Sequence, residues 1–536
     1  MRDVTSSPDH RSKSRRLSAA GVGLAFALGM RCASPQPPAG PRDREAAPRR
    51  PTTGETAGTA GAADATAPGQ AAKPLPPAAP VLPGPALAAR EAAQRRVLGE
   101  APFGAAYFDA PQRLEIAPDQ PAAPDAAEPT GDAADVTPPA ALPIDALTLG
   151  RFVPLQGAGD PALSAFHHAL GELASGQRDG KVRVAFYGSS QTSADFITGY
   201  LRTYLQRRFG DGGHGFVALA KPWRTYRHLD VGLNTSKGWH TDHAQKSDRR
   251  EDGYYGLLGA STSARRRGRR TSIRARGAAV GTRFELQFLQ QPRGGSFILD
   301  VNGRRQAQIK TRAKEHGPGY YAFELEPGLH ELRVRVKGDG EVRLFGVVIE
   351  NDEPGVVVDT LGINGARVAN QLTWDEALWA DAFRRRSPSL FVLAYGGNEC
   401  TDTDVPMSVY TAELEQVLQR YRRVAPESSC LLMGPGDFPE ETPDGGRQPR
   451  ARLREIVRTQ DRVAARYGCA FWDTQAFMGG EMGMTRWVEA SPTMAQADHL
   501  HLTRRGYTRL GMALADAMMQ GYDAAGREPG PRAAID

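Results

Sequence analysis

From Lys181 onward, short and almost wholly apolar runs alternate with amphipathic helical stretches, and that rhythm leaves few folds open. The apolar runs are 182–187, 356–360, 390–395, 430–433 and 469–472; helical periodicity fills 375–385, 407–424, 451–467 and 504–520. Strands apolar on both sides belong to a parallel sheet covered by helices on both faces. After the first run, Phe196, Ile197, Tyr200, Leu201, Tyr204, Leu205 and Phe209 recur at three and four residues, one apolar face of a helix. Thr192 or Ser193 offers that helix a cap, and Gly210-Asp211-Gly212-Gly213 ends it. The expected fold is a three-layer α/β domain with a parallel sheet.

The stretch 231–350 breaks this rhythm. Apolar and polar residues alternate there in 284–288, 297–301, 332–336 and 342–345, with Asn302-Gly303 as a hairpin signal and Pro327-Gly328 as a turn. Several short strands with regular turns predict an inserted antiparallel β-sandwich. Trp223, Tyr226, Trp239, Tyr254 and Tyr255 surround its start, as sandwich core or as platforms for sugar rings.

Before residue 146 the chain is of another kind. Residues 33–143 are dominated by Ala, Pro, Gly, Asp and Thr, with Phe103, Tyr107 and Phe108 the sole aromatics, too little apolar surface to offset ordering entropy. The reading divides the chain into a signal segment (1–32), a disordered tether (33–145), an α/β domain in two parts (146–230 and 351–525) split by the sandwich (231–350), and a disordered tail (526–536). Basic residues before an apolar run from Leu17 to Met30 have the shape of a secretory signal. Cys32 stands where a lipoprotein cysteine would anchor the chain, although Arg31 departs from the small residue expected before it. Net charge is +6, and a single run, Arg265 to Arg270, concentrates five cations. No aromatic interleaving or reader module accompanies it, which argues against nucleic acid. It reads as a solvated loop or as an attraction for an anionic cell-wall polymer. Cys400, Cys430 and Cys469 remain, an odd number, and of these Cys430 and Cys469 lie in strand-like runs and read as buried thiols.

Ser190 follows the first strand and opens a helix, so its hydroxyl stands at the carboxyl edge of the sheet, where open α/β folds bind ligands. Free N–H groups and the partial positive charge of a helix N-terminus suit an oxyanion there. A serine at a strand–helix turn is also an ordinary N-cap. Asp498-His499-Leu500-His501, before the last helix, supplies what a serine nucleophile lacks: a base and a carboxylate to fix its tautomer. His499 is the competing base. Gly365 and Asn398 follow the second and third strands and offer a backbone N–H and a side-chain amide from the same edge. His240-Thr241-Asp242-His243 reads as a polar loop without further metal ligands.

Ser190, Gly365, Asn398, then Asp498 with His501 follow the order of the four blocks of SGNH (GDSL-like) hydrolases. The wider sequence resembles exported SGNH esterases that remove O-acetyl groups from peptidoglycan or related glycans. The matching stretches are GSSQTSADFITGYLRTYLQRRFGDGGHGF, GVVIENDEPGVVVDTLGINGA, YGGNE, FWDTQAFMGGEMGMTRW and DHLHLTRRGY. The resemblance implies a flavodoxin-like sheet and an inserted carbohydrate-binding-like sandwich. It further implies Ser190 as nucleophile, His501 as base and Asp498 as its partner, with the N–H groups of Ser190 and Gly365 and the Asn398 amide as oxyanion hole. It implies an acylated cell-wall glycan as substrate, no cofactor or metal, and a periplasmic or outer-envelope location. Gly188-Ser189-Ser190-Gln191 departs from the family's usual Gly-Asp-Ser, often followed by His. A glycan-binding descendant without catalysis and a glycan O-acyltransferase are the rival readings.

Overall fold

The computed structural model describes residues 151–246, 248–276 and 281–525. The expected signal, Cys32, the tether and the tail lie outside them. Among the described residues no helix is long and apolar enough to cross a membrane.

In chain order the structure opens with β1 (Gln156–Gly157), α1 (Ser164–Ala174), β2 (Lys181–Gly188), α2 (Ser190–Ser193), α3 (Phe196–Phe209) and β3 (Gly215–Ala218). Ten strands follow: β4 (Val231–Thr235), β5 (His240–His243), β6 (Ala260–Ala264), β7 (Arg270–Ala275), β8 (Gly281–Gln290), β9 (Ser296–Val301), β10 (Arg304–Lys310), β11 (Gly317–Gly328), β12 (Glu331–Val336) and β13 (Val342–Glu350). The α/β rhythm then resumes with β14 (Gly355–Gly362), α4 (Glu376–Arg386), β15 (Leu390–Ala394), α5 (Met407–Val424) and β16 (Ser429–Met433). A small hairpin, β17 (Glu440–Glu441) and β18 (Arg447–Gln448), precedes α6 (Ala451–Arg466) and β19 (Ala470–Trp472). The chain closes with α7 (Thr474–Phe477), α8 (Gly483–Glu489) and α9 (Arg504–Ala524).

The main sheet runs β1-β19-β16-β15-β2-β14. Its last five strands are mutually parallel and β1 adds an antiparallel edge. Numbered along the chain, the parallel strands stand in the order 2-1-3-4-5, the flavodoxin-like arrangement, whose switch point falls between β2 and β15. Alternate residues of β2 explain the layering: Val182, Val184 and Phe186 pack with α1, α3 and α9, while Ala185 and Tyr187 pack on the other side with α4, α5 and α6. The apolar face expected on α3 is buried against the first of these layers.

The insertion is two packed sheets, β10-β9-β12-β7-β4 and β11-β8-β13-β6-β5. Between them lie Ile273, Phe284, Leu286, Phe297, Leu299, Leu332, Val334 and Val347. The second sheet faces the α/β layers: β3, expected on the α/β side, pairs antiparallel with β13, and Leu289 and Phe345 pack on Leu378 of α4. Arg386 binds both Asp359 of β14 (2.8 Å) and Glu350 at the end of β13 (2.7 Å), and Glu350 also meets Arg183 of β2 at 2.8 Å.

Three expectations need correction. Cys430 and Cys469 are joined as a disulfide, because β16 and β19 are neighbours in the sheet and bring their Cα atoms to 4.7 Å, the spacing of adjacent strands. Cys400 is a buried free thiol. Thr192 and Ser193 do not cap the long helix: they lie inside the one-turn α2, and α3 starts afresh after Asp195, which adopts a left-handed conformation (φ 55°). His240 to His243 form a strand, not a loop, with the buried Asp242 accepting from Arg250 N at 2.9 Å.

Candidate active site

Two glycines let the chain turn sharply at the ends of the first two parallel strands. A Cβ on Gly188 would collide with Thr192, and one on Gly362 with the backbone of Ser193. Without them α2 rests directly on the ends of β2 and β14, with Ser190 as its first residue. The helix is one turn long, so what it offers an anion is its individual free N–H groups rather than an aligned column of peptide dipoles.

The other half of the site comes from the loop before α9. Thr503 caps that helix by accepting from Gly506 N at 3.2 Å, its hydroxyl donates to Thr493 O at 3.1 Å, and Thr503 N donates to Met494 O at 3.0 Å. Gln496 N binds His501 O at 2.8 Å, closing the loop on itself. Within it, Asp498 Oδ1 accepts from Leu500 N (3.0 Å) and His501 N (2.9 Å), and Oδ2 meets His501 Nδ1 at 2.7 Å. His501 Nε2 lies 3.1 Å from Ser190 Oγ. A carboxylate can only accept, so Nδ1 carries the proton and Nε2 is left to accept from the serine hydroxyl. Burial pushes the Asp498 carboxyl up, but the hydrogen bonds from the His501 ring and from the two N–H groups outweigh it and hold the carboxyl below its ordinary range. His501, and not His499, is therefore the ring that reaches Ser190. Gln191 Nε2 donates to Leu500 O at 3.5 Å, a long bond between the serine turn and the histidine loop.

Ser190 and Asn398 line one small cavity, about 30 Å³, whose further walls include Ile197, Tyr395, Met433 and Phe438. Asn398 donates one amide hydrogen to Ala366 O at 2.9 Å, which leaves its second for a ligand. Gly365 (φ 73°) does not line that cavity. Its loop is nonetheless tied to the serine turn: Ile363 N donates to Gly188 O at 3.0 Å and Ser193 Oγ to Asn364 Oδ1 at 2.6 Å. Gln245 of the insertion holds the Gly365 carbonyl at 2.5 Å.

Sequence reasoning missed two carboxylates. Glu399, beside Asn398 in the YGGNE stretch, is buried and accepts from Val368 N at 2.8 Å and from Gly396 N at 2.9 Å, so one side chain joins the Gly365 loop to the Asn398 loop. Burial raises this carboxyl despite those donors. Asp195, fully buried, binds Thr198, Arg202, Thr360 and Leu229 N and so fixes α3 against β14 behind the serine turn. The signal for Glu399 was its place one residue after a candidate oxyanion donor; Asp195 carried none. Among the described residues, His214, His228 and Asp230 bring ligand-type atoms within 4.8 Å of one another. Arg202 lies 3.3 Å from Asp230 and 2.8 Å from Asp195, so a guanidinium already matches the carboxylate charge there. Of the aromatics at the start of the insertion, Tyr226 and Tyr255 are buried in the core, and Trp223, Trp239 and Tyr254 pack partly against it.

Residues 336–509 match the model of the GDSL-like Lipase/Acylhydrolase family. The matched stretch holds Gly365, Asn398, Asp498 and His501 and begins after the insertion, which separates it from Ser190. A solved structure described as a peptidoglycan O-acetylesterase in action is 24% identical, with 69% of this chain and 99% of that one covered and a TM-score of 0.58. A family two carbohydrate esterase from Clostridium thermocellum in complex with cellohexaose is 11% identical over 53% of this chain and 100% of that one, with a TM-score of 0.23. No curated protein matches. The first of these structures shares the fold described above, and the stretch matched by the family model holds the residues that face Ser190: residues 336–509 carry a GDSL-like lipase/acylhydrolase domain.

Proposed function

We propose that the chain removes O-acetyl groups from a cell-envelope glycan such as peptidoglycan, through an acyl-enzyme on Ser190. The observation that carries this reading is the continuous hydrogen-bond line Asp498–His501–Ser190, at 2.7 and 3.1 Å. His501 Nε2 takes the hydroxyl proton as Ser190 Oγ attacks the ester carbonyl. The resulting oxyanion is met by the N–H groups of Ser190 and Gly365 and by the free amide hydrogen of Asn398. His501 then protonates the departing sugar oxygen as its bond to the acyl carbon breaks, and a water activated by the same ring releases acetate and restores the serine. Asp498 stays ionised throughout and holds the imidazole in its tautomer.

The cavity beside Ser190, about 30 Å³, has room for little more than one small group, which favours acetyl over a longer acyl chain. The peptidoglycan O-acetylesterase of similar fold supports the choice of polymer. A disulfide between Cys430 and Cys469 suits an oxidising compartment and, with the basic and apolar N-terminal segment, supports export to the periplasm or outer envelope; a lipid anchor at Cys32 is part of this proposal. The test is acetate released from O-acetylated peptidoglycan by wild type and Ser190→Ala. Release by wild type and at least a thousandfold loss in the variant is the expected result. Equal release would remove the serine from the mechanism, and an acetyl group passed to a hydroxyl of an added glycan acceptor instead of to water would make the enzyme a transferase.

A further inference from the structure

Residues 231–350 hold 22 Lys and Arg against 13 Asp and Glu, a net charge of +9 in a chain whose total is +6, so the remainder of the chain is negative. The excess is concentrated on one surface. In the sheet β10-β9-β12-β7-β4, Ile273 of β7, Leu332, Val334 and Val336 of β12, and Phe297 and Leu299 of β9 point into the sandwich. Strand alternation then turns Arg270 and Arg274, Arg333 and Arg335, and Arg305 and Lys310 of β10 outward, on the side away from the α/β layers.

Two acids share that side and both are engaged: Asp300 with Arg335 at 2.5 Å, Glu331 with Arg333 at 2.7 Å. Arg270, Arg274, Arg305 and Lys310 have no carboxylate partner among the described residues. Arg335 stands directly opposite Arg270 in the register, and Asp300 engages Arg335, which leaves Arg270 without a carboxylate of its own. The Arg265–Arg270 run extends the same end of the face. Val336 N donates to Arg269 O at 2.9 Å and Gly268 N to Val336 O at 3.1 Å, which fixes the loop beside the end of β12 with Arg266 and Arg267 exposed. None of the outward positions of β7, β12 and β9 is aromatic.

We propose that this basic face docks the enzyme onto a polyanionic envelope glycan, one carrying carboxylate or phosphate groups along its length, away from the Ser190 cleft. The choice of an envelope polymer rests on the exported reading above; the charge chemistry does not. Guanidinium groups form paired, charge-assisted hydrogen bonds with either anion, and exposed pairs of this kind weaken as salt screens them.

The experiment is co-sedimentation of the full chain with insoluble sacculi in two arms, one with free stem-peptide carboxylates and one carrying phosphodiester polymers. Wild type is compared with a variant combining Arg266→Gln, Arg267→Gln, Arg270→Gln and Arg274→Gln. All four side chains are exposed, and hydrolysis of p-nitrophenyl acetate, expected unchanged, reports that the variant is folded. Expected is binding at low salt in at least one arm, lost by about 0.5 M salt and weakened at least about tenfold in the variant. The arm that binds identifies the anion. Equal binding by the variant, salt-independent binding, equal capture by neutral cellulose, or capture by phosphatidylglycerol vesicles but not sacculi each overturns the proposal. Ser190→Ala is expected to sediment like wild type, so failure of the esterase reading and failure of docking are told apart.

Discussion

Glu399 accepts one backbone N–H from each of the two loops that carry Asn398 and Gly365, and Asn398 itself donates to Ala366 in the Gly365 loop. Its carboxylate thus acts on the reaction through the position of other groups. Glu399→Gln keeps the shape but replaces one acceptor by an NH2 that faces an N–H, so one of the two ties is lost. The expected outcome in steady-state kinetics is a fall of roughly ten- to a hundredfold in kcat with KM little changed, since an oxyanion donor acts mainly on the transition state. A change in thermal stability alone, with kcat intact, would give Glu399 a structural role only. The meeting of Asp498, His501 and Ser190 could be anticipated from the sequence because Asp498 and His501 share one short segment and Ser190 sits at a strand–helix turn. Glu399 was not, because a carboxylate after Gly-Gly-Asn reads as an ordinary polar turn residue until the fold brings Val368 to it. The one-turn α2 escaped for a similar reason: the left-handed Asp195 that divides it from α3 is held by Arg202, Thr360 and Leu229, contacts that no local pattern announces.

Between elements, the joint of sandwich and α/β domain depends on charge as well as on packing. Glu350 closes β13 and meets Arg183 of β2 and Arg386 of α4. Burial pushes its carboxyl up, but Arg386 and Arg183 outweigh this and bring it from 4.5 down to about 2. A carboxyl depressed in the folded state stabilises the fold above its unfolded value, and that contribution is lost as pH falls from about 4.5 toward about 2. The shift corresponds to roughly 3 kcal/mol. Thermal melts as a function of pH are expected to show wild type losing stability across this window. Glu350→Gln is expected to be less stable at neutral pH and flatter below 4.5; parallel curves for the two proteins would contradict the assignment. At this scale the five parallel strands and the helices α3, α4, α5, α6 and α9 could be read to within a few residues from apolar runs and helical periodicity, whereas α1, α7, α8, β1 and β3 were not read. The disulfide could not: Cys430 and Cys469 are separated by 39 residues and become neighbours only through the order of strands in the sheet.

For the whole molecule, the sequence announced a second architecture inside the first, because alternation at 231–350 cannot continue a sheet covered on both faces. It did not announce how the two are joined. β3 pairs with β13, and Gln245 reaches from the insertion to the carbonyl of Gly365, so the sandwich helps to shape the sheet edge that carries Ser190 while presenting its basic sheet elsewhere. Two segments 311 residues apart meet where His501 Nε2 lies 3.1 Å from Ser190 Oγ. Covalent labelling with a fluorophosphonate, followed by peptide mapping, tests that meeting directly. The predicted result is one label per chain, on Ser190, with activity lost in step and labelling abolished in His501→Ala. A label on another residue, or full esterase activity after Ser190 is modified, would contradict it.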